Sequence, residues 1–152
     1  MIVNNNLIEW SDRFVLGIPL IDGQHENLIR LTNTLYWSCL QNKEIANLSF
    51  IETAHEAVHY IRQHFYTEEK LMLLLDYSDY SSHKKEHQSF IKEVLSQTQH
   101  FKDKKNLVPN RFVLFLKEWI LSHVAVCDKA MVSFFLETKY RGKLIKLNSK
   151  PA

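Results

Sequence analysis

The sequence has little of what makes loops. Among 152 residues there are three glycines and three prolines, which argues against collagen-like, low-complexity and turn-rich all-β chains. Two cysteines are too few for a disulfide framework. No apolar run reaches the ~18 residues needed to span a bilayer, so membrane insertion is not expected. Met1 to Trp10 shows no basic stretch followed by an apolar one, so no secretory leader is expected and the chain reads as cytoplasmic. Net charge is only +2, which demands no nucleic-acid partner. No segment alternates with the period of a strand.

What is present is ordinary globular composition, 45% apolar and 24% charged, over a length that suits a single domain, 1–152. Such a chain buries about 70% of its unfolded surface, enough for a core without staples. Eight histidines stand out, with 12% aromatics.

Residues 1–21 contain Gly17, Pro19 and three consecutive Asn, and read as an extended arm. Asp22 sits where an N-cap would open a first helix running to about Gln41. On it His25, Leu28, Ile29, Leu35, Tyr36, Cys39 and Leu40 recur at helical spacing. Ser49 with Glu52 forms a capping-box pattern that predicts a second helix from Ser49 to about Leu75. A turn at Asp76–Ser82 leads to a third helix, about Tyr80 to Phe101. Polar residues Lys102–Asn106 break it. Pro109 suits the first turn of a fourth helix, continuing to about Asp128. A short helix, Lys129–Thr138, either continues the fourth or packs across it. The tail 139–152 is basic and reads as solvated. The sum is an all-α, up-down-up-down four-helix bundle over about 22–138, with an N-terminal arm and a short C-terminal helix.

At about 100° per residue, a helical wheel sorts the histidines. On the second helix Phe50, Ala54, Ala57, Val58, Ile61, Phe65, Met72 and Leu75 make one stripe. Glu68 falls inside it and His64 on its edge. His55 and His59 fall on the opposite face, among Glu52, Arg62, Gln63 and Lys70. On the third helix His83 and His87 share the face of Phe90, Ile91, Val94 and Phe101, whereas His100 points away. On the fourth, His123 centres the stripe of Phe112, Leu116, Trp119 and Ile120. His25 shares the apolar face of the first helix.

Any one inward histidine is ordinarily a satisfied core residue. Five of them with a glutamate, spread over four helices, need a common partner, because an isolated buried carboxylate costs several kcal/mol. A metal is that partner, since neutral imidazole nitrogens and carboxylate oxygens both bind it. The donors outnumber what one four-coordinate zinc takes, and two metals bridged by carboxylates fit better. His64 and Glu68 lie one turn apart, as do His83 and His87. His123 and Asp128 are five apart, about 140° on an ideal α-helix. Asp128 reaches the site only if the helix takes a π-type irregularity near 123–128.

These residues match a known family. Trp10, Val15-Leu16-Gly17-Ile18 and Ile21-Asp22-Gly23-Gln24-His25 look like its arm and first ligand. His64-Phe65-Tyr66-Thr67-Glu68-Glu69-Lys70-Leu71-Met72 matches HFxxEExLM, and His83-Lys84-Lys85-Glu86-His87-Gln88-Ser89-Phe90 matches HxxEHxxF. Trp119 through His123 to Asp128 matches WxxxH and HxxxxD. From about Ile8 to Phe135 the chain resembles the hemerythrins, in particular single-domain bacterial ones. The resemblance implies a non-heme di-iron centre. One iron would be held by His83, His87 and His123, the other by His25 and His64. Glu68 and Asp128 would bridge them with an oxo or hydroxo group. It further implies reversible O2 binding, as peroxide at the open position of the second iron, for storage, delivery or scavenging, in a monomer that is not an enzyme. No protein recipient follows from it. Trp119 and Ile120 would help form the apolar shell. Ile120 stands where Leu is usual, Met131 where an aromatic is common, and the basic tail extends past the usual end.

Glu52-x-x-His55 and Glu56-x-x-His59 spell the Glu-x-x-His of ferritin-like di-iron enzymes, but both lie on one wet face and read as decoys for that fold. Cys39 and Cys127 read as buried, inert thiols. Two other functions stay open: a sensor of O2, nitric oxide or redox state acting through a partner, and a di-iron oxidase or peroxidase.

Overall fold

The computed structural model describes residues 5–103 and 109–137, with Gly142. The expectations for residues 1–4, for 104–106, for Thr138 and for the tail 139–152 (Gly142 apart) lie outside these residues. Among the described residues every regular element is helical. A short 3₁₀ turn, Asp12–Phe14, precedes α1 (Pro19–Cys39), α2 (Lys43–Leu74), α3 (Tyr80–Lys102) and α4 (Pro109–Trp119). A π-helical segment, Ile120–Asp128, and α5 (Lys129–Phe135) follow. The helices run up, down, up and down. α1 packs on α2 and α4, and α2 packs on α3.

Two helix starts differ from the sequence expectation. α1 begins at Pro19, whose fixed φ suits a first helical position. Asp22 is therefore inside the helix. Its carboxylate reaches back to accept the Leu16 N–H at 2.9 Å and the Gly17 N–H at 3.1 Å. Gly17 has φ +108° there, a conformation that L side chains rarely adopt. α2 begins at Lys43, capped by Asn42, whose Oδ1 accepts the Ile45 N–H at 2.9 Å. Ser49 and Glu52 lie inside that helix, where Ser49 is buried, so the capping-box pattern marks no boundary. Local caps compete, and the one that extends the packed face wins.

α2 ends on Asp76 in the left-handed region (φ 54°), with the Tyr77 N–H donating to the Met72 carbonyl at 2.9 Å. That is a Schellman-type stop with aspartate in the usual glycine position. α4, the π segment and α5 form one continuous rod, so the last helix continues the fourth rather than crossing it. The arm is pinned to α1 by a reciprocal pair: Asn33 accepts from the Ile8 N–H at 3.0 Å and donates to the Ile8 carbonyl at 2.8 Å.

The core has two apolar bodies. The longer one gathers Leu28, Leu35, Phe50, Phe65, Phe90, Phe112, Leu116 and Ile120. The shorter holds Ile18, Ile21, Met72, Leu75, Met131, Val132 and Phe135. Burying one such side chain contributes roughly 1.5–3 kcal/mol. Ile91 and Leu40, expected on core faces, are exposed, because each lies at the rim of its helix stripe. Along the helices, His25, His64, Glu68, His83, His87, His123 and Asp128 fall between the two bodies. The polar residues thus form one layer across the bundle.

Candidate metal centre

All seven predicted site residues meet in this layer, and all are buried. α1 supplies His25, α2 supplies His64 and Glu68, and α3 supplies His83 and His87. The π segment supplies His123 and Asp128. Its wider turn nearly eclipses residues five apart, and it brings His123 Nε2 to 2.9 Å from Asp128 Oδ1. The irregularity expected at 123–128 is present and spans the longer segment Ile120–Asp128.

The donors divide into two sets. Glu68, His83, His87, His123 and Asp128 form one, and His25, His64, Glu68 and Asp128 the other, the atoms of each lying within 4.8 Å of one another. Each carboxylate gives one oxygen to each set. Glu68 Oε1 lies 3.1 Å from His64 Nε2, and Oε2 lies 3.1 Å from His87 Nε2. Asp128 Oδ2 lies 3.0 Å from His25 Nε2, and Oδ1 lies 3.0 Å from His83 Nε2. His25 Nε2 and His64 Nε2 are 3.1 Å apart, as are His83 Nε2 and His123 Nε2.

Two observations show that these residues fit metal ions. First, all four oxygens of Glu68 and Asp128 are buried without an aligned hydrogen bond among the described residues, as is His87 Nε2. Leaving such groups orphaned is costly unless something else binds them. Second, neighbouring donors of an octahedral ion with bonds of about 2.1 Å are about 3.0 Å apart. The separations here cluster at that spacing. Mixed imidazole and carboxylate donors suit iron, zinc or manganese.

With no ion counted, the carboxylates hold protons on the ring nitrogens. Burial opposes charge on His25 and His83, but Asp128 and Glu68 outweigh it and push both up to about 9. His64 goes the other way, because burial dominates. Burial raises Glu68 and Asp128, yet the surrounding imidazoles carry both below the usual carboxylate range. Metal ions and protons therefore compete for the same nitrogens.

Outside the layer, partners aim the rings. His64 Nδ1 donates to Gln24 Oε1 at 2.7 Å, and His87 Nδ1 to Glu69 Oε1 at 3.1 Å. His123 Nδ1 donates to Glu86, which also accepts from Cys127 Sγ at 3.6 Å. Such contacts fix the tautomer that leaves Nε2 free to ligate. Sequence reasoning missed Gln24, Glu69 and Glu86. The signal was there: all three lie inside the quoted motifs, each beside a ligand. Both cysteines are half-buried rather than buried. Burial raises Cys39 and, with Glu86 and Asp128 adding to it, pushes Cys127 up to about 12, so both thiols are poor nucleophiles.

Aromatic rings close the layer. Phe65 stacks on His87 with centroids 3.7 Å apart, Trp119 on His123 at 4.0 Å and Tyr60 on His64 at 5.0 Å. Ile120 is fully buried in the longer apolar body, and Met131 in the shorter. His55, His59 and His100 are exposed, as the wheel sorted them.

Fold and site together define an all-α bundle protein with a buried layer of histidines and two shared carboxylates that could hold metal ions. A family model, the hemerythrin HHE cation binding domain, matches residues 16–135. The chain belongs to the hemerythrin family. It is 32% identical over 123 residues to a bacteriohemerythrin of Pseudomonas aeruginosa, covering 81% of this chain and 78% of that one. A bacteriohemerythrin of Aquifex aeolicus is 35% identical over 117 residues, 74% of this chain and 86% of the relative. Among solved structures, a hemerythrin mutant superposes with a TM-score of 0.72 at 21% identity, covering 85% of this chain and 97% of that one. This last likeness supports the fold alone.

Proposed function

We propose that the chain binds two iron ions and, through them, O2 reversibly, as a non-enzymatic carrier, store or scavenger. The observation that carries this reading is the pair of donor sets sharing Glu68 and Asp128. His83, His87 and His123 with the two carboxylates offer five donors to one ion. His25 and His64 with the same carboxylates offer four to the other. An ion held by the second set would have fewer protein donors, leaving more room for an external ligand. When bound, a ferrous pair supplies the two electrons that O2 draws on and gives back on release.

The chain's own part is to hold, aim and dry the site. Gln24, Glu69 and Glu86 orient three of the imidazoles. Phe65, Trp119 and Tyr60 stack on ligand imidazoles and Ile120 lies in the adjoining apolar body, an apolar surround that limits water at the site. Glu68 and Asp128, charged and buried, supply the negative charge that holds two cations close together.

The test is iron content and the visible spectrum of the protein, reduced without air and then exposed to O2. About two irons per chain, with a visible band that appears with O2 and vanishes when it is removed, is the result expected. Two irons that oxidise with no reversible band would overturn reversible binding and favour redox sensing or oxidase chemistry on the same scaffold.

A further inference from the structure

The seven ligands are buried, so an ion entering the layer must pass an outer wall. On the two-histidine side that wall carries a cleft of 620 Å³ between α1 and α2. Gln24 and Tyr60 line it, and both touch His64: one by the hydrogen bond to Nδ1, the other by ring stacking. Tyr60 is 5% exposed, and its hydroxyl is buried with no hydrogen-bond partner among the described residues. His55 and His59 also line the cleft, exposed and one helical turn apart. Imidazoles at i and i+4 share a face and can hold one divalent cation between them.

The stretch His55-Glu56-Ala57-Val58-His59 spells the H-E-x-x-H pattern of helical zinc sites. Two features argue against a resident catalytic ion. Among the described residues no third histidine, cysteine or carboxylate completes a set with the pair. Glu56 is also engaged by Arg30 at 3.6 Å. Two donors with no third make a weak, fast-exchanging site, which suits passage rather than storage.

We propose that His55 and His59 form a labile ferrous capture site at the mouth of this cleft. From there Fe2+ passes Gln24 and Tyr60 to the His25/His64 position. The inference rests on the di-iron reading above.

The experiment is anaerobic uptake of Fe2+ by the iron-depleted full-length chain at low micromolar Fe2+, followed in time and to completion. Both histidines are exposed, so the His55→Gln/His59→Gln variant should fold, which its thermal melt checks. The expected result is loading slowed roughly tenfold, the scale of a lost local concentration effect, with final stoichiometry unchanged. Uptake at the wild-type rate would overturn the proposal and direct attention to the His83 side. A lower final iron content would overturn it too, since the pair would then be ligands or structural. Zero uptake by the wild type would bring down the di-iron reading, and this proposal with it. That failure shows as absent stoichiometry rather than as a changed rate.

Discussion

The two halves of the metal layer are built differently. On the His83/His87/His123 side, two rings are aimed by carboxylates, Glu69 and Glu86. On the His25/His64 side the only such partner among the described residues is the neutral amide of Gln24, and His25 Nδ1 has none among them. A carboxylate behind an imidazole makes it more basic and holds it more firmly than an amide does. The first half is the richer and stiffer ligand set. The second has fewer donors and softer support. The difference teaches how one bundle can support two unequal donor sets that share their carboxylates.

The largest expected effect comes from removing what the halves share. Glu68→Ala deletes an oxygen from each set, and bound iron should fall from about two per chain to below about one, measured by metal analysis of purified protein. An unchanged content would sink the shared-bridge reading.

Next, His64→Ala strikes only the weaker half, leaving it three donors. Iron should drop to about one per chain, whereas His87→Ala, which leaves four donors on its side, should retain more. Equal losses would erase the asymmetry.

Third, Glu86→Gln should weaken metal binding by roughly 10- to 100-fold, and Gln24→Ala by less, in competition titrations with a chelator. The reverse order would contradict the contrast in support.

Fourth, the iron-depleted protein carries raised imidazoles in both halves: His25 in one, His83 and His123 in the other, with His25 and His83 at about 9 against an ordinary 6.5. A raised folded-state value gives stability that is full below the unfolded value and lost as pH rises through the folded one. The melting temperature of the depleted protein should therefore fall between pH 6.5 and 9. In the loaded protein the metal replaces those protons, and the fall over the same window should vanish. Matching profiles with and without metal would count against proton–metal competition.

The smallest expected effect lies outside both halves. His55→Ala and His59→Ala should leave the final iron content unchanged, because their rings face water. Iron loss at equilibrium in either would refute the sorting of the histidines.

Much of the site was legible before any fold was known. His64 and Glu68 share a helical face with Phe65 and Met72, so the wheel aimed them inward and aimed His55 and His59 outward. The five-residue step from His123 to Asp128 was legible as a conflict, and the π segment resolves it. Helix starts were less legible. Asp22 and Ser49 carry good local cap chemistry, but Pro19 and Asn42 open the helices because starting earlier packs more residues against neighbours. Ile91 and Leu40 show the same limit: a wheel cannot say where a stripe's rim meets solvent.

The sequence alone determined the helical character and the inward faces that carry five histidines and Glu68, while the candidate set of seven, with Asp128, came from the family resemblance. The faces follow from periodicity and side-chain chemistry, which are local. The tertiary structure decided the partition of the donors into two sets. It also decided the placing of Gln24, Glu69 and Glu86 behind the rings, and the seating of Tyr60 and the His55/His59 cleft against His64. Those depend on how separate helices are rotated and shifted against one another. Packing sets such long-range terms, and no single helix encodes them.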